Sequence, residues 1–348
     1  SDDEYISGTY GYDTAHVAVG MVRTFAYDCE LMKYRQIGQD LHGSIDGEQF
    51  GHRVSTSADG KTLAISAPSR DYMGGNGFVN VYYLNDDNVD DATPTWIKLG
   101  SRIDNLDTTN HDRIGHAIAL SSNGQTLAIL GVQTDYTYIV RVYKYNPIER
   151  EWKIHGESLL VTVNYNDMYE FAPQLSLRDD GSLLSISDPE FGIVRYKYKW
   201  QENVWEKMVE EEEDYAAFGV PTDAIGDYTV DGGMWWIDSV ATDRDADVIA
   251  FTSWTDTDGA YDVHSVQLVD FSHPHSDPVV AYNMTWRDYD VGVNVAVAKD
   301  GGVAAVVVSK LDVDDDEFRS DSSTVGALTV LHRDDAAAGD VGGEWTVI

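Results

Sequence analysis

Apolar and polar positions alternate along this chain in short bursts divided by turn residues, and three of the bursts repeat one another. They run from Phe50 to Ile65, from Ile114 to Ile129 and from Gln174 to Ile186. Each reads as a short strand, a polar turn carrying Asp59-Gly60, Asn123-Gly124 or Asp180-Gly181, and a second, apolar strand. Asp-Gly and Asn-Gly supply the positive φ that a two-residue hairpin turn requires. A hairpin returning after about 60 residues marks a modular sheet protein.

The unit extends to four strands. Strand A is the Gly51-His52-Arg53-Val54 segment and its equivalents. Strand B is the apolar run Leu63-Ala64-Ile65-Ser66-Ala67-Pro68 or Leu127-Ala128-Ile129-Leu130, whose continuous apolarity predicts burial on both faces. Strand C alternates in Phe78 to Tyr83, Ile139 to Tyr145 and Ile193 to Tyr198, which predicts a half-buried strand. Strand D carries Trp96, Trp152 or Trp205, with Gly100 and Gly156 following the first two. The N-terminus fits the same frame entered late: Tyr5 to Gly8 resembles strand B, Met21 to Tyr27 strand C and Leu31 to Gly38 strand D, with no strand A before them. Two more divergent units follow. Met234 to Val240, Asp247 to Phe251, Val263 to Val269 and Val279 to Trp286 make one, and Val293 to Ile348 the other.

Four-stranded modules of this length predict an all-β fold, a β-propeller of about six four-stranded blades, or seven if a segment is missing. The expected blades are 1–43, 44–105, 106–160, 161–213, 214–287 and 288–348 of one domain spanning 1–348. Radial stacking accounts for an apolar strand B and for alternation in the outer strands. The acidic run Glu210 to Asp214 reads as a solvated loop. Closure is the weak point of the scheme, because the first unit lacks its inner strand while the last looks complete.

Composition narrows the partners. With 43% hydrophobic residues the chain can bury a large core, and 60 acidic against 24 basic residues give a net charge of -36. Nucleic-acid binding through phosphates and docking on an anionic membrane are disfavoured, as is membrane insertion, since no apolar run reaches about 18 residues. Divalent cations and other proteins suit such a surface. Ser1-Asp2-Asp3-Glu4 is polar, so no signal peptide is visible, which fits a removed leader or a fragment. The single cysteine, Cys29, cannot form an intramolecular disulfide and reads as a buried apolar filler.

Phe50-Gly51-His52-Arg53-Val54, Ile114-Gly115-His116-Ala117-Ile118, the Leu63 to Pro68 strand and Gly77 to Tyr82 resemble the FG-GAP repeat of integrin-α-like propellers. Ser66 stands where that repeat has glycine. The match covers about residues 31 to 200 and is closest to the variant repeat of secreted or structural proteins from marine microbes and algae. The resemblance implies a propeller with adhesion or assembly roles rather than a reaction. It does not carry calcium with it, because the Ser57 to Gly60 and Ser121 to Gly124 turns are too short to wrap a cation needing six to eight oxygens.

Calcium has two other candidates. Asp312, Asp314 and Asp316 alternate in an acidic loop ending at Glu317, and Asp243, Asp245 and Asp247 fill another turn; each is equally a solvated loop. His273 and His275, with Asp270 and Asp277, lack a further zinc ligand nearby. His52 and His116 recur after a glycine and read as blade contacts. The recurring Trp96, Trp152, Trp205 and Trp345 read as blade packing, and Trp235-Trp236 as packing or a surface contact. No His-Glu-x-x-His, Gly-x-Ser-x-Gly or phosphate-binding glycine loop is present, so no catalytic residue is assigned.

The expectation is a non-enzymatic structural or adhesion scaffold that contacts other proteins, including copies of itself, in a filament, layer or shell, outside the cell or in an organelle lumen or stroma. The alternatives are a calcium-assisted ligand- or glycan-binding propeller and a propeller enzyme acting on polysaccharide.

Overall fold

The computed structural model describes residues 19–29, 31–45, 47–68, 77–86, 94–104, 113–133, 137–162, 173–188, 192–208, 236–242, 248–257, 261–270, 279–287, 291–297, 303–310, 326–333 and 345–347. These residues form antiparallel sheets in chain order. The first is β1 (Met21–Asp28) with β2 (Lys33–His42). The second is β3 (Val54–Thr56), β4 (Thr62–Ala67), β5 (Phe78–Asn85) and β6 (Thr95–Lys98). The third runs β8 (Arg113–Leu120), β9 (Thr126–Gln133), β10 (Thr137–Asn146) and β11 (Glu151–Ile154). The fourth is β13 (Leu175–Leu177), β14 (Leu183–Asp188), β15 (Gly192–Lys199) and β16 (Val204–Lys207). The fifth and sixth are β17 (Trp236–Thr242), β18 (Val248–Thr257), β19 (Tyr261–Asp270) and β20 (Val279–Arg287), then β21 (Val291–Val297), β22 (Val303–Lys310), β23 (Gly326–Arg333) and β24 (Trp345–Val347).

Within each full sheet the strands pair in simple sequence order, so every sheet is an up-and-down meander. Successive sheets stack through their inner strands: β4 on β8, β8 on β13, β13 on β17 and β17 on β21. Inner strands meeting in this way make the architecture that of a β-propeller. No helix among the described residues is long and apolar enough to cross a membrane.

Strand B carries the core. Leu63, Ala64, Ile65, Leu127, Ala128, Ile129, Leu184 and Ile186 are essentially inaccessible to solvent, and Leu183 is buried as well. Alternate residues of one strand serve two seams. Ala64 faces the third sheet with Val79, Val81, Leu127 and Ile129, whereas Leu63 and Ile65 face the first with Phe50, Leu41 and Trp96.

Several expectations need correction. Strand C is not half-buried: β5 and β10 are buried along most of their length, because each is an interior strand with a sheet on either side. Polar Asn80 and Arg141 are carried inside with them. The hairpin turn is not a two-residue turn. Ser57 N donates to Thr62 O and Gly60 N to Ser57 O, leaving four residues in the loop with only the glycine at positive φ, 69° at Gly60. Asp59 accepts from Ser57 Oγ and Lys61 N, which closes the turn from inside, and Asn123 does the same with Ser121 and Gln125. In strand A of the second unit only Val54–Thr56 is extended, and in the third a bulge falls between Ile114 and Ala117. Two short strands were not foreseen, β7 (Ile103–Asp104) on β5 and β12 (Leu159–Thr162) on β10. Cys29 is exposed rather than buried, since it stands in the β1–β2 turn where no sheet covers it.

Candidate functional site

The residues that recur in every unit meet at the seams between sheets. Trp96 lies opposite Leu84, Trp152 opposite Tyr145 and Trp205 opposite Tyr198, on the face that looks toward the preceding sheet. All three indoles are buried, and each N–H is donated backwards across the seam. Trp96 Nε1 reaches Thr24 Oγ1 at 2.9 Å, Trp152 Nε1 the Leu99 carbonyl at 2.9 Å and Trp205 Nε1 the His155 carbonyl at 2.8 Å. A buried indole needs that partner, since an unmet N–H costs about 1–3 kcal/mol.

The glycine that follows each tryptophan explains the spacing. A Cβ on Gly100 would sit 3.0 Å from Trp152 Cδ1, and one on Gly156 only 2.7 Å from Trp205 Cδ1. Gly38 meets Trp96 in the same way. The glycine of one unit is therefore the notch for the next unit's tryptophan. The Trp-x-x-x-Gly spacing was visible in the sequence, but its reading across two units was not, because the two partners lie 53 to 58 positions apart.

A second lock joins the turns. Ala58 N donates to Ser122 O at 2.8 Å and Asn123 N to Asp179 O at 3.3 Å, while Leu120 N donates to Ser55 Oγ at 3.0 Å. The two recurring histidines belong to the same seam. The His52 and His116 rings are 6.0 Å apart, edge to face, and Arg53 Nε donates to the His116 carbonyl. Burial, with Arg53 adding to it, moves the His52 pKa down, which favours the neutral ring.

On the outer strands His155 stacks on Tyr198 at 3.8 Å and faces Trp200, over whose ring Lys144 Nζ sits at 4.3 Å. Burial, and then Lys144, hold the His155 pKa down at about 4, so at neutral pH it serves as an uncharged aromatic. Inside the third sheet, buried Arg141 donates from Nε to Ser158 Oγ at 3.1 Å and lies beside Tyr143, whose hydroxyl burial pushes up to about 12. Buried Glu48 accepts from the backbone of Ser44 and Ile45 and clasps its own loop. Each of these groups is committed to a structural contact.

The exception is the first sheet. Tyr34 lies opposite Tyr27, the place that Trp96, Trp152 and Trp205 take in their own sheets, and Gly38 follows it at the same distance as Gly100 follows Trp96. Phe25 takes the place of Tyr82 and Tyr143, two positions before the residue opposite the aromatic. Tyr82, Trp96, Tyr143 and Trp152 are all buried, yet Phe25 is 55% and Tyr34 71% exposed. Met21, Leu31 and Met32 add further exposed apolar surface to β1, β2 and their turn. Arg23 is held against Asp40 by two hydrogen bonds and Arg35 against Asp28, which leaves this region close to electrically neutral. It is an inter-sheet face without a sheet on it, and the strongest candidate for a contact site. Sequence reading missed it because Tyr34 does not look like a tryptophan.

Other predicted positions are not brought together. Asp312, Asp314 and Asp316, the Asp243 to Asp247 turn, His273, His275, Asp277 and Trp235 lie outside the described residues. Asp270 ends β19, Trp236 begins β17 and Trp345 begins β24. Among the described residues no group of three or more His, Cys, Asp or Glu side chains converges as metal ligands.

No protein-family model matches the chain, and no curated protein matches its sequence. Solved structures do match it. A candidate 6-phosphogluconolactonase from Bacteroides uniformis superposes over 95% of this chain and 78% of its own, with a TM-score of 0.51 at 10% identity. A second candidate 6-phosphogluconolactonase, from Bacteroides fragilis, covers 94% and 76% with a TM-score of 0.48 at 12% identity. The β-propeller domain of Cps50 from Myceliophteria thermophila covers 83% and 87% with a TM-score of 0.40 at 11% identity. At such identities the likeness is one of fold.

Proposed function

We propose that this chain is a non-catalytic scaffold, a propeller of six blades built from FG-GAP-like repeats, whose work is contact with other proteins. One observation carries the reading. The residues that make the repeat recognisable are consumed in seams between sheets, and the same residue positions on the first sheet form an exposed aromatic face. Surfaces of this kind, apolar and rimmed by paired charges, mark protein contact sites. The acidic surface of the rest of the chain suits a salt-rich setting at or outside the cell surface.

Sedimentation of the purified chain, together with affinity capture from its native source, tests this. The expected result is a species heavier than one chain or a reproducibly recovered protein partner. A strict monomer at high concentration from which no partner is recovered would refute it.

A further inference from the structure

We infer that the exposed face of the first sheet is occupied by the sixth sheet of a second copy, so that copies associate head to tail. This rests on the scaffold reading and names its partner.

The repeat defines both halves of the contact. At each seam within the chain, the following sheet offers an aromatic pair, Tyr82 with Trp96 or Tyr143 with Trp152. The preceding sheet offers small and β-branched residues from strands B and C. At the seam between second and third sheets these are Ala64 and Val81, opposite each other across β4 and β5 and fully buried. The seam between third and fourth sheets uses Ala128 and Val142 in the same register. Phe25 and Tyr34 are the aromatic half, with nothing preceding them.

The sixth sheet carries the other half. Ala305 lies opposite Val330 across β22 and β23, three positions before the residue opposite Ala327, in the register of Ala64 and Val81. Both are only half-buried, unlike their equivalents, whereas the neighbouring Ala304, on the opposite face of β22, is 1% exposed. Among the described strands, β1 and β2 pack on the second sheet through β6, and the sixth sheet packs on the fifth. The two faces that the repeat makes complementary are thus both uncovered, at opposite ends of one row of sheets.

Charge favours the same pairing. Residues 209–348 hold half of the 60 acidic residues but only 6 of the 24 basic ones. The first sheet, with Arg23, Lys33 and Arg35 among its strands, is a part of the surface that this acidic end approaches without strong repulsion. A heterologous contact that does not close on itself propagates as an open line of copies.

Sedimentation velocity over a wide concentration range, on the full chain near physiological salt, decides the matter with three proteins: wild type, Tyr34→Glu and Ile148→Glu. Ile148 is 91% exposed on a hairpin of the third sheet, away from the face, and serves as the control. The wild type is expected to grow in mass with concentration. Tyr34→Glu should move the association midpoint up by about tenfold or more, as loss of a central aromatic anchor does, and Ile148→Glu should leave it in place. Association of Tyr34→Glu equal to wild type would overturn the assignment of the face while leaving the scaffold standing. A wild type that stays monomeric, with Tyr34→Glu unfolding or melting earlier, would show the face covered by the chain's own last sheet and would also overturn it. A monomer with no partner at all would remove both readings.

Discussion

Phe25 and Tyr34 in the first sheet and Tyr143 and Trp152 in the third stand at the same places in the same repeat. The second pair is 3% and 7% exposed, the first 55% and 71%. Residue chemistry does not account for the difference, since all four are aromatic. Position in the row of sheets does: the third sheet has a neighbour on that side and the first has none among the described residues. In a stacked architecture, the burial of a side chain is decided as much by the next module as by its own. A residue that stabilises the fold in one copy of the repeat becomes contact surface in another.

The comparison breaks most visibly if the two positions respond alike to truncation. Trp152→Ala removes a buried indole and leaves the Leu99 carbonyl without its donor, so it should cost about 3–5 kcal/mol. Tyr34→Ala, measured in protein dilute enough to be a single chain, should change stability by no more than about 0.5 kcal/mol. Urea unfolding of both variants against wild type checks this through the midpoints at unchanged slope. A loss at Tyr34 approaching that at Trp152 would mean that the first sheet is covered within the chain.

The turns offer a finer contrast, because three copies of one glycine differ only in what lies beside them. Gly60 and Gly181 both adopt positive φ, 69° and 71°, so alanine at either carries the left-handed backbone cost of about 1–2 kcal/mol. A Cβ on Gly60 meets nothing within 4 Å. On Gly181 it would press on Thr126, including its Cβ and, at 2.9 Å, its Cγ2, and Thr126 is itself buried against the turn. Rotating the threonine does not relieve a clash with its Cβ. Gly181→Ala should therefore cost about 1–3 kcal/mol more than Gly60→Ala, the usual cost of overpacking a closed site. Thermal or urea unfolding of the two variants, measured side by side, separates them. Equal losses would show that the turns of neighbouring sheets are not in contact.

Much of this was legible in the chain beforehand, for a physical reason. A hairpin is local, so the Ser57 to Thr62 and Ser121 to Thr126 turns announce themselves within a few residues, and an apolar strand B announces its double burial. What could not be read was anything that depends on which sheet lies next to which. Strand C looked half-buried because Asn80, Arg141 and Lys144 break its apolar run. Its burial comes from sheets on both sides that are far away in sequence. Gly100 was seen as a companion of Trp96, whereas its physical partner is Trp152. The candidate face was hidden for the same reason: Tyr34 differs from its counterparts in residue type and in having no neighbour, and only the register of β1 on β2 identifies it.

The smallest expected effect concerns protons at the seam between third and fourth sheets. His155 gives its carbonyl to Trp205 and stacks its ring on Tyr198, so the ring is partly withdrawn from water and lies near the Lys144 ammonium. Both influences disfavour the imidazolium and hold the folded-state pKa at about 4, below the ordinary 6.5. The unfolded chain therefore takes up this proton first as pH falls. The contribution to stability is fully present above about pH 6.5, declines as the pH drops from there to 4, and is exhausted below. The ring remains about half open to solvent, so screening keeps the effect small. Site-resolved NMR should place the His155 midpoint near 4. His155→Phe, which keeps a ring on Tyr198 but cannot be protonated, should flatten the difference in unfolding stability between pH 6.5 and 4 relative to wild type. His52, shifted in the same direction at the seam between second and third sheets, supplies a residual slope in both proteins. A His155 midpoint near 6.5 would mean that this seam is as open as the face carrying Tyr34, and the contrast between covered and uncovered copies of the repeat would then fail at its outer edge.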